Sequence, residues 1–534
     1  MKKIYFLILI TTIGSSKILY AQSFQWVNSH PVQYTMNPSL PQHSISVSDV
    51  GLVYASQLDS SSLVYGQDVL GKQVLRCFNT SGVVQWSVWL GKKVTINRIA
   101  SDNAGNVYVC GIFMDSLKIS NSALALANTG INFTTNTYIA KFDVNGNVVY
   151  LKNKTGGQFN SQVVAALATN AQDELYYAVQ DFASDSYIRK VDASGNDIQT
   201  YTINEARTIG QISFDPEDNL YVSGSTSQGT LTVNSFSVTV PETYMMFVAR
   251  INNSGQTSWI RLAHDVTFQF PIVAADKDGN AFLSCALLDS TSWGAITYNG
   301  PQWVYGMFLT KVDSTGNFLW GVSIPLTPTI QGDFTPGTNV FIDDDQLGNV
   351  YLTGLTRGIV NWGNSVTTGS GAIPASEISY MCFNSTGIPQ WQLGASSSSF
   401  ETTYTMDADS IGNCYFASGI SGNGTFGPFN INTGGALAAV FGKLSSPFVS
   451  VQNQLHQNEV KFFPNPSSDF IKVITNTEFS KSIKSISIKN MQGQIAYSQK
   501  YFQPLINVQY LAQGVYTIEF DAGSKKIIEK FIKQ

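Results

Sequence analysis

The chain is poor in the residues from which metal and catalytic sites are usually assembled. Four histidines (His30, His43, His264, His456) and five cysteines (Cys77, Cys110, Cys285, Cys382, Cys414) are scattered over 534 residues. No cysteines stand in C-x-x-C spacing and no histidines in H-x-x-x-H, so no local zinc or helix-borne metal motif is encoded. No G-x-S-x-G nucleophile elbow occurs either. Charged residues make up only 13% of the chain, against 43% hydrophobic and 12% aromatic, which excludes disorder as the main state. A basic excess is missing too. The net charge is −5, so no counterion-displacing surface for nucleic acid is expected. No segment after the N-terminal one holds the ~18 continuous apolar residues of a membrane span.

What the chain does have is organised at both ends. Lys2 and Lys3 precede an apolar run from Ile4 through Ile13, and the small residue Ala21 precedes Gln22. This order of positive start, short apolar run and small residue reads as a secretory signal peptide over residues 1–21, cut between Ala21 and Gln22. No cysteine stands at the cut to take a lipid.

The other end differs in charge. From Glu459 onward ten lysines oppose six acids, a local charge of +4. The whole chain is −5, so residues 1–458 carry −9, and −12 remains on 22–458 without Lys2, Lys3 and Lys17. Alternating apolar patterns predict strands over 471–474, 483–489, 495–499, 514–520 and 526–532, separated by turns at Gln492-Gly493 and Gln513-Gly514. Alone, this predicts a small immunoglobulin-like β-sandwich. Phe462-Phe463-Pro464-Asn465-Pro466 opens the segment, Met491-Gln492-Gly493 lies midway, and Leu511 to Tyr516 and Lys530-Phe531-Ile532-Lys533 follow. In these motifs residues 459–534 closely resemble the type A C-terminal sorting domain of the type IX (Por) secretion system of Bacteroidetes. The resemblance implies roles for Pro464, Asn465, Pro466, Gly493, Gly514, Lys530 and Lys533 in an export signal. It also implies two partners, the secretion machinery and its sorting peptidase, which removes the tail at the outer membrane.

Between the ends, residues 22–446 repeat. Asp102-Asn103-Ala104-Gly105-Asn106-Val107-Tyr108 returns at Asp215, Asp276, Asp345 and Asp409, with weaker copies at Ser48 and Asn170, seven in all. A second pattern places an aromatic four residues after a turn glycine: Gly82 and Trp86, Gly146 and Tyr150, Gly255 and Trp259, Gly316 and Trp320, Gly387 and Trp391. Gly195 has Gln199 at that offset, so the third copy is expected to lack its aromatic. Asp-x-x-Gly is a turn, with Asp accepting backbone N–H groups and Gly taking a positive φ. Units of this length with about four short strands predict a seven-bladed β-propeller. The units, for example Phe308 to Trp320, resemble SBBP-type repeats and the Trp-docking blades of quinoprotein-like propellers. The seventh repeat stops at Ser445 without its outer strand, while Phe24-Gln25-Trp26-Val27 matches Val84-Gln85-Trp86-Ser87. Residues 23–29 are therefore expected to lie antiparallel to 438–444, with Trp26 closing the ring.

Candidate chemistry is sparse. His264 beside Asp265 reads as a surface pair, and the five cysteines as small buried apolar residues. Asp143, Asp192 and Asp313 belong to turns. Asp343-Asp344-Asp345 is the densest acidic cluster, and structural calcium is the one cofactor it brings to mind, although it lacks the spacing of a calcium loop. The sequence names no catalytic residue, no metal ligand and no ligand-binding residue. It reads as an exported cell-surface or released propeller that binds protein or glycan. The alternatives are an extracellular polysaccharide hydrolase or lyase, or a structural surface component. Residues 447–458 read as a linker.

Overall fold

The structure, a computed structural model, describes residues 22–32, 43–65, 68–127, 135–155, 162–181, 185–264, 270–298, 300, 306–325, 332–364, 366–369, 376–445, 460–463, 467–475, 477–490, 493–522 and 526–534. The expected signal peptide with Ala21, the expected linker 447–458, and Pro464, Asn465 and Pro466 lie outside these residues. The chain divides into two compact units, Met1–Pro447 and Phe448–Gln534. It is all-β apart from one short helix, Thr477–Ser482, among the described residues.

In the first unit the described strands form antiparallel sheets of nine, eight, six, four and four strands, besides two-stranded hairpins, and each copy of the sequence repeat contributes one run of successive antiparallel strands, a module numbered in repeat order. Module 2 is representative: Arg98–Ser101, Val107–Phe113, Asn136–Phe142 and Val148–Thr155. Each second strand is buried along its whole length in modules 2 to 5, because both of its faces meet a neighbouring sheet. The first strand of each module lies beside the first strand of the next, and that of module 7 lies beside that of module 1.

The turns explain the repeat. Asp102 Oδ1 accepts the Asn106 N–H at 2.7 Å, and Asp102 Oδ2 accepts Asn106 Nδ2 at 2.8 Å and the Tyr108 hydroxyl at 2.9 Å. Gly105 closes the turn at φ +81°. In modules 3 and 4 an aspartate stands at the glycine position, and Asp173 and Asp218 hold φ +62° and +63°. Their carboxylates reach the preceding module, accepting the Asn103 and Ala171 N–H groups at 2.8 and 3.0 Å. That charge-assisted bond offsets a conformation that L-residues disfavour.

The modules are latched by their aromatics. Trp86 donates its indole N–H to the Val144 carbonyl at 2.9 Å, and its ring lies where a Cβ on Gly146 would fall 2.7 Å away. Trp259 and Trp320 dock the same way, on Ser314 at 2.9 Å and Ser385 at 2.8 Å. Tyr150 lies against Gly195. Module 3 does not lack its aromatic. Tyr201, two residues beyond Gln199 and so on the same strand face, packs on Gly255. An offset of four alone could not reveal it.

Phe24–Pro31 pairs antiparallel with Phe429–Leu444, running from Phe24 opposite Leu444 to Pro31 opposite Ala438. Trp26 stacks on Phe78 with centroids 5.8 Å apart, lies 6.5 Å from Tyr415, and donates to the Thr80 carbonyl at 3.0 Å. Module 7 thus takes its outer strand from the start of the described chain. Beside it the Ser445 N–H donates to the Ser23 carbonyl at 2.9 Å, and the Ser23 N–H donates to Ser445 Oγ at 3.2 Å.

The second unit has a three-stranded sheet (Val460–Phe463, Phe470–Thr475, Leu505–Asn507) and a four-stranded one (Ile495–Lys500, Ser485–Asn490, Gly514–Asp521, Lys526–Lys533). Ile471, Ile506, Ile486, Ile518 and Phe531 share its core. The strand expected from Ile483 begins at Ser485, because the preceding residues Thr477–Ser482 form the short helix. Val460–Phe463 and Leu505–Asn507 were too short for their alternation to register.

Candidate functional site

Counting back from the turn residue of each module, the second position before it recurs seven times. It is alanine in modules 2, 3 and 5 (Ala100, Ala168, Ala274) and serine in modules 1 and 4 (Ser46, Ser213). In modules 6 and 7 it is aspartate (Asp343, Asp407). These positions belong to the first strands or abut them, and six of the seven, all but Ala274, border a cavity of about 220 Å³ lined also by Ser44, Arg98, Gln211 and Thr405.

No backbone ladder joins the described first strands of adjacent modules, so their polar groups are met by side chains. The Val47 N–H donates to Asp407 Oδ2 at 2.6 Å, the Ala408 N–H to Asp343 Oδ2 at 2.8 Å, and the Ala275 N–H to Ser213 Oγ at 3.0 Å. In each case the side chain of one module holds the strand of the next. A serine meets this need without charge. The two aspartates meet it at a cost, because they also face each other through a hydrogen bond between their carboxyls. Burial pushes Asp343 well above the usual carboxylate range, and the charge of Asp407 adds to it. Burial raises Asp407 as well, opposed by hydrogen bonds from Asp343, Val47 and Ser46. The pair therefore holds a proton where isolated carboxylates would not.

Across the cavity, Arg98 Nη1 donates to the Asn97 carbonyl at 3.1 Å, while its buried Nε has no acceptor. Among the described residues no carboxylate forms an ion pair with this guanidinium. Burial lowers its pKa. Gln211 Oε1 is buried without a donor. So is Asn339 Oδ1, although Asn339 Nδ2 donates to Ser44 Oγ at 2.7 Å and the Asn97 carbonyl at 3.1 Å. Unpaired polar atoms of this kind are uncommon in a folded interior.

The residues nominated by sequence are placed as follows. Asp343, Asp344 and Asp345 serve three separate sets of donors. Asp343 takes the Ala408 N–H, Asp344 the Gln346 N–H at 3.0 Å, and Asp345 the Leu347 and Asn349 N–H groups and the Tyr351 hydroxyl. Among the described residues no group of three His, Cys, Asp or Glu side chains could hold a metal ion. His264 Nδ1 meets Glu242 at the surface, and Asp265 lies outside the described residues. All five cysteines are buried, and none of them forms a disulfide. Burial drives the thiols of Cys77 and Cys110 up to about 12. Burial lowers His30 to about 4 and His43 to about 3, so both rings are neutral at ordinary pH. Asp407, Arg98 and Gln211 escaped the sequence reading. For Asp407 the signal was present as register: in a repeat whose neighbours carry Ala or Ser two places before the turn, an aspartate is a departure.

In the second unit, Gly493 sits at φ +80° in a turn where its N–H donates to the Asn490 carbonyl at 2.9 Å. Gly514 and Lys533 pair across the last two strands, as do Thr517 and Lys530. Lys533 is buried and its ammonium reaches the Gln534 carbonyl.

Residues 461–534 match the family described as the secretion system C-terminal sorting domain. No curated protein matches the chain. Similar solved structures include a protein of unknown function from Bacteroides caccae, at 12% identity and TM-score 0.34 over 66% of this chain and 94% of that one. Puromycin hydrolase aligns at 8% identity and TM-score 0.39 over 93% of this chain and 61% of that one. PorZ, a surface component of the type IX secretion system of Porphyromonas gingivalis, aligns at 8% and TM-score 0.16 over 95% and 100%. No helix among the described residues is long and apolar enough to cross a membrane. Residues 461–534 are a type IX secretion C-terminal sorting domain, and the chain is exported to the cell surface or secreted.

Proposed function

We propose that this protein is an exported binding module: a seven-bladed β-propeller over residues 22–446, closed by Trp26 and its strand, and delivered by a removable sorting domain at 459–534. The modules are its blades, and the small cavity among their first strands is its binding site for a protein or glycan group. One observation carries this reading. The cavity is walled by hydroxyls, an amide, a guanidinium and an acid pair, and Arg98 Nε and Gln211 Oε1 have no partner among the described residues. Buried polar atoms left unsatisfied cost free energy that a ligand can return.

A hydrolase is the second reading, prompted by the two carboxyls at the cavity. It is less well supported, because each already accepts a backbone N–H from the neighbouring module. The test is a screen of the full chain against a glycan array and surface-protein extracts, with Gln211→Leu as comparison. Binding that the substitution abolishes supports the site. Ligands that bind both proteins equally place recognition elsewhere. Deleting 459–534 should retain the protein inside the cell, and unchanged surface display would remove the sorting domain from the account.

A further inference from the structure

We propose that the cavity among the first strands is an anion site, in which Arg98 takes the carboxylate of a small hydroxylated acid such as a single uronate residue. This inference rests on the cavity as the binding site and names the chemistry of its occupant.

Charge is the first argument. A guanidinium is never deprotonated in practice, so Arg98 brings a fixed positive charge to the cavity wall. Every other described arginine with a buried Nε has an acidic or hydroxylic partner elsewhere on its fork: Arg189 bonds Asp197 at 2.9 Å, and Arg250 reaches Asp215 at 3.8 Å. Among the described residues the Arg98 fork has the Asn97 carbonyl alone. The two carboxyls that also line the cavity are bonded to each other and to the Val47 and Ala408 N–H groups, and they do not pair with it. Arg98 is half-buried at the cavity wall, and a cation partly withdrawn from water without a counter-charge is relieved when an anion supplies one. The planar fork best accommodates a carboxylate, with two parallel bonds.

The second argument is what surrounds the fork. Gln211 Oε1, on the cavity wall, is an acceptor without a donor among the described residues, and behind the wall so is Asn339 Oδ1. Ser44, Ser213 and Thr405 add hydroxyls to the lining. Acceptors that lack donors call for hydroxyl hydrogens on the ligand, which a bare inorganic anion does not carry. The third argument is size. A cavity of about 220 Å³ lies below the roughly 300 Å³ at which pockets for drug-sized ligands begin. It takes one ring or one short acid, and not a chain.

The experiment is calorimetric titration of the full chain with D-glucuronate, D-glucose and acetate, with a glucuronate-terminated disaccharide as a fourth arm. Glucuronate should bind about tenfold or more tightly than glucose, the margin of one charge-assisted pair. Acetate should bind more weakly than glucuronate, because it offers no hydroxyls. Disaccharide binding equal to glucuronate assigns the site to chain ends of acidic glycans, and weaker disaccharide binding assigns it to the free acid. Arg98→Gln should abolish the preference for glucuronate, and Arg98→Lys should restore part of it. The wild-type comparison needs no variant, so a substitution that unfolds the protein leaves the test intact. Equal binding of glucose and glucuronate overturns the anion site while leaving the cavity as a sugar site. No binding in any arm overturns the anion site, and the array screen then decides the cavity separately.

Discussion

The rim of the module ring and its centre obey different rules. At the rim the same device recurs. An aromatic of one module lies on a turn glycine of the next, at Gly82, Gly146, Gly195, Gly316 and Gly387. At the centre the equivalent positions differ from module to module, and small residues give way to Asp343 and Asp407 in modules 6 and 7 only. Repetition builds the scaffold, because each interface must meet the same geometric need. Departures from repetition mark what a scaffold does not require.

The largest expected effect tests the rim at its seam. Trp26→Ala should cost about 3–5 kcal/mol from lost burial and cavity, read by urea denaturation. Trp86→Ala should cost less, since Trp86 is the more exposed of the two. Equal losses would show that the strand shared between the two chain regions is no more critical than any other.

Next in size is the docking glycine. Gly146→Ala should cost about 1–3 kcal/mol, since an L-residue at φ +81° is strained and its Cβ would meet the Trp86 ring. An unchanged melting temperature would remove the reason for glycine at the rim.

The centre should respond with the opposite sign. Asp343→Asn should raise stability at neutral pH, because the amide keeps an acceptor for the Ala408 N–H and needs no proton. Asp343 and Asp407 are raised in the folded state. The folded protein thus holds a proton that the unfolded chain releases above about pH 4. The stability tied to the pair is complete below that pH and is lost as pH rises toward the folded value. The advantage of Asp343→Asn over wild type should therefore grow from pH 5 to pH 8, by thermal melts at each pH. A constant difference would mean the pair is ionised throughout. His30 and His43 act oppositely. Their folded values of about 4 and about 3 lie below the usual 6.5, so the wild type should lose stability as pH falls below 6.5.

The smallest effect sharpens the rim. Trp391 has the same place in its module as Trp86, yet its indole N–H is buried without an acceptor. The turn it would meet is the one that module 7 replaces with the junction between Leu444 and Phe24. Trp391→Phe should therefore cost less than about 0.5 kcal/mol in hydrogen bonding, where Trp86→Phe should lose about 1. Matching losses would show that the indole bond contributes nothing at either place.

Much of this was legible in the residues themselves. Asp-x-x-Gly-Asn turns, strand alternation and the glycine-to-aromatic offset are local, and local physics decides them: turn acceptors, positive φ and same-face spacing lie within a few residues. The sorting domain was legible for the same reason, through short ordered motifs. Tertiary structure alone decided which groups converge. Asp343 and Asp407 stand 64 positions apart in sequence, and Arg98 is further still, and only the cyclic packing of first strands sets them around one cavity. Tyr201 could be recognised as the missing aromatic only once Gly255 was beside it. Pairing across such separations depends on how sheets stack and close, which no window of sequence contains. The Asp343–Asp407 proton is the sharpest case: each aspartate alone would ionise, and burial together is what changes the chemistry.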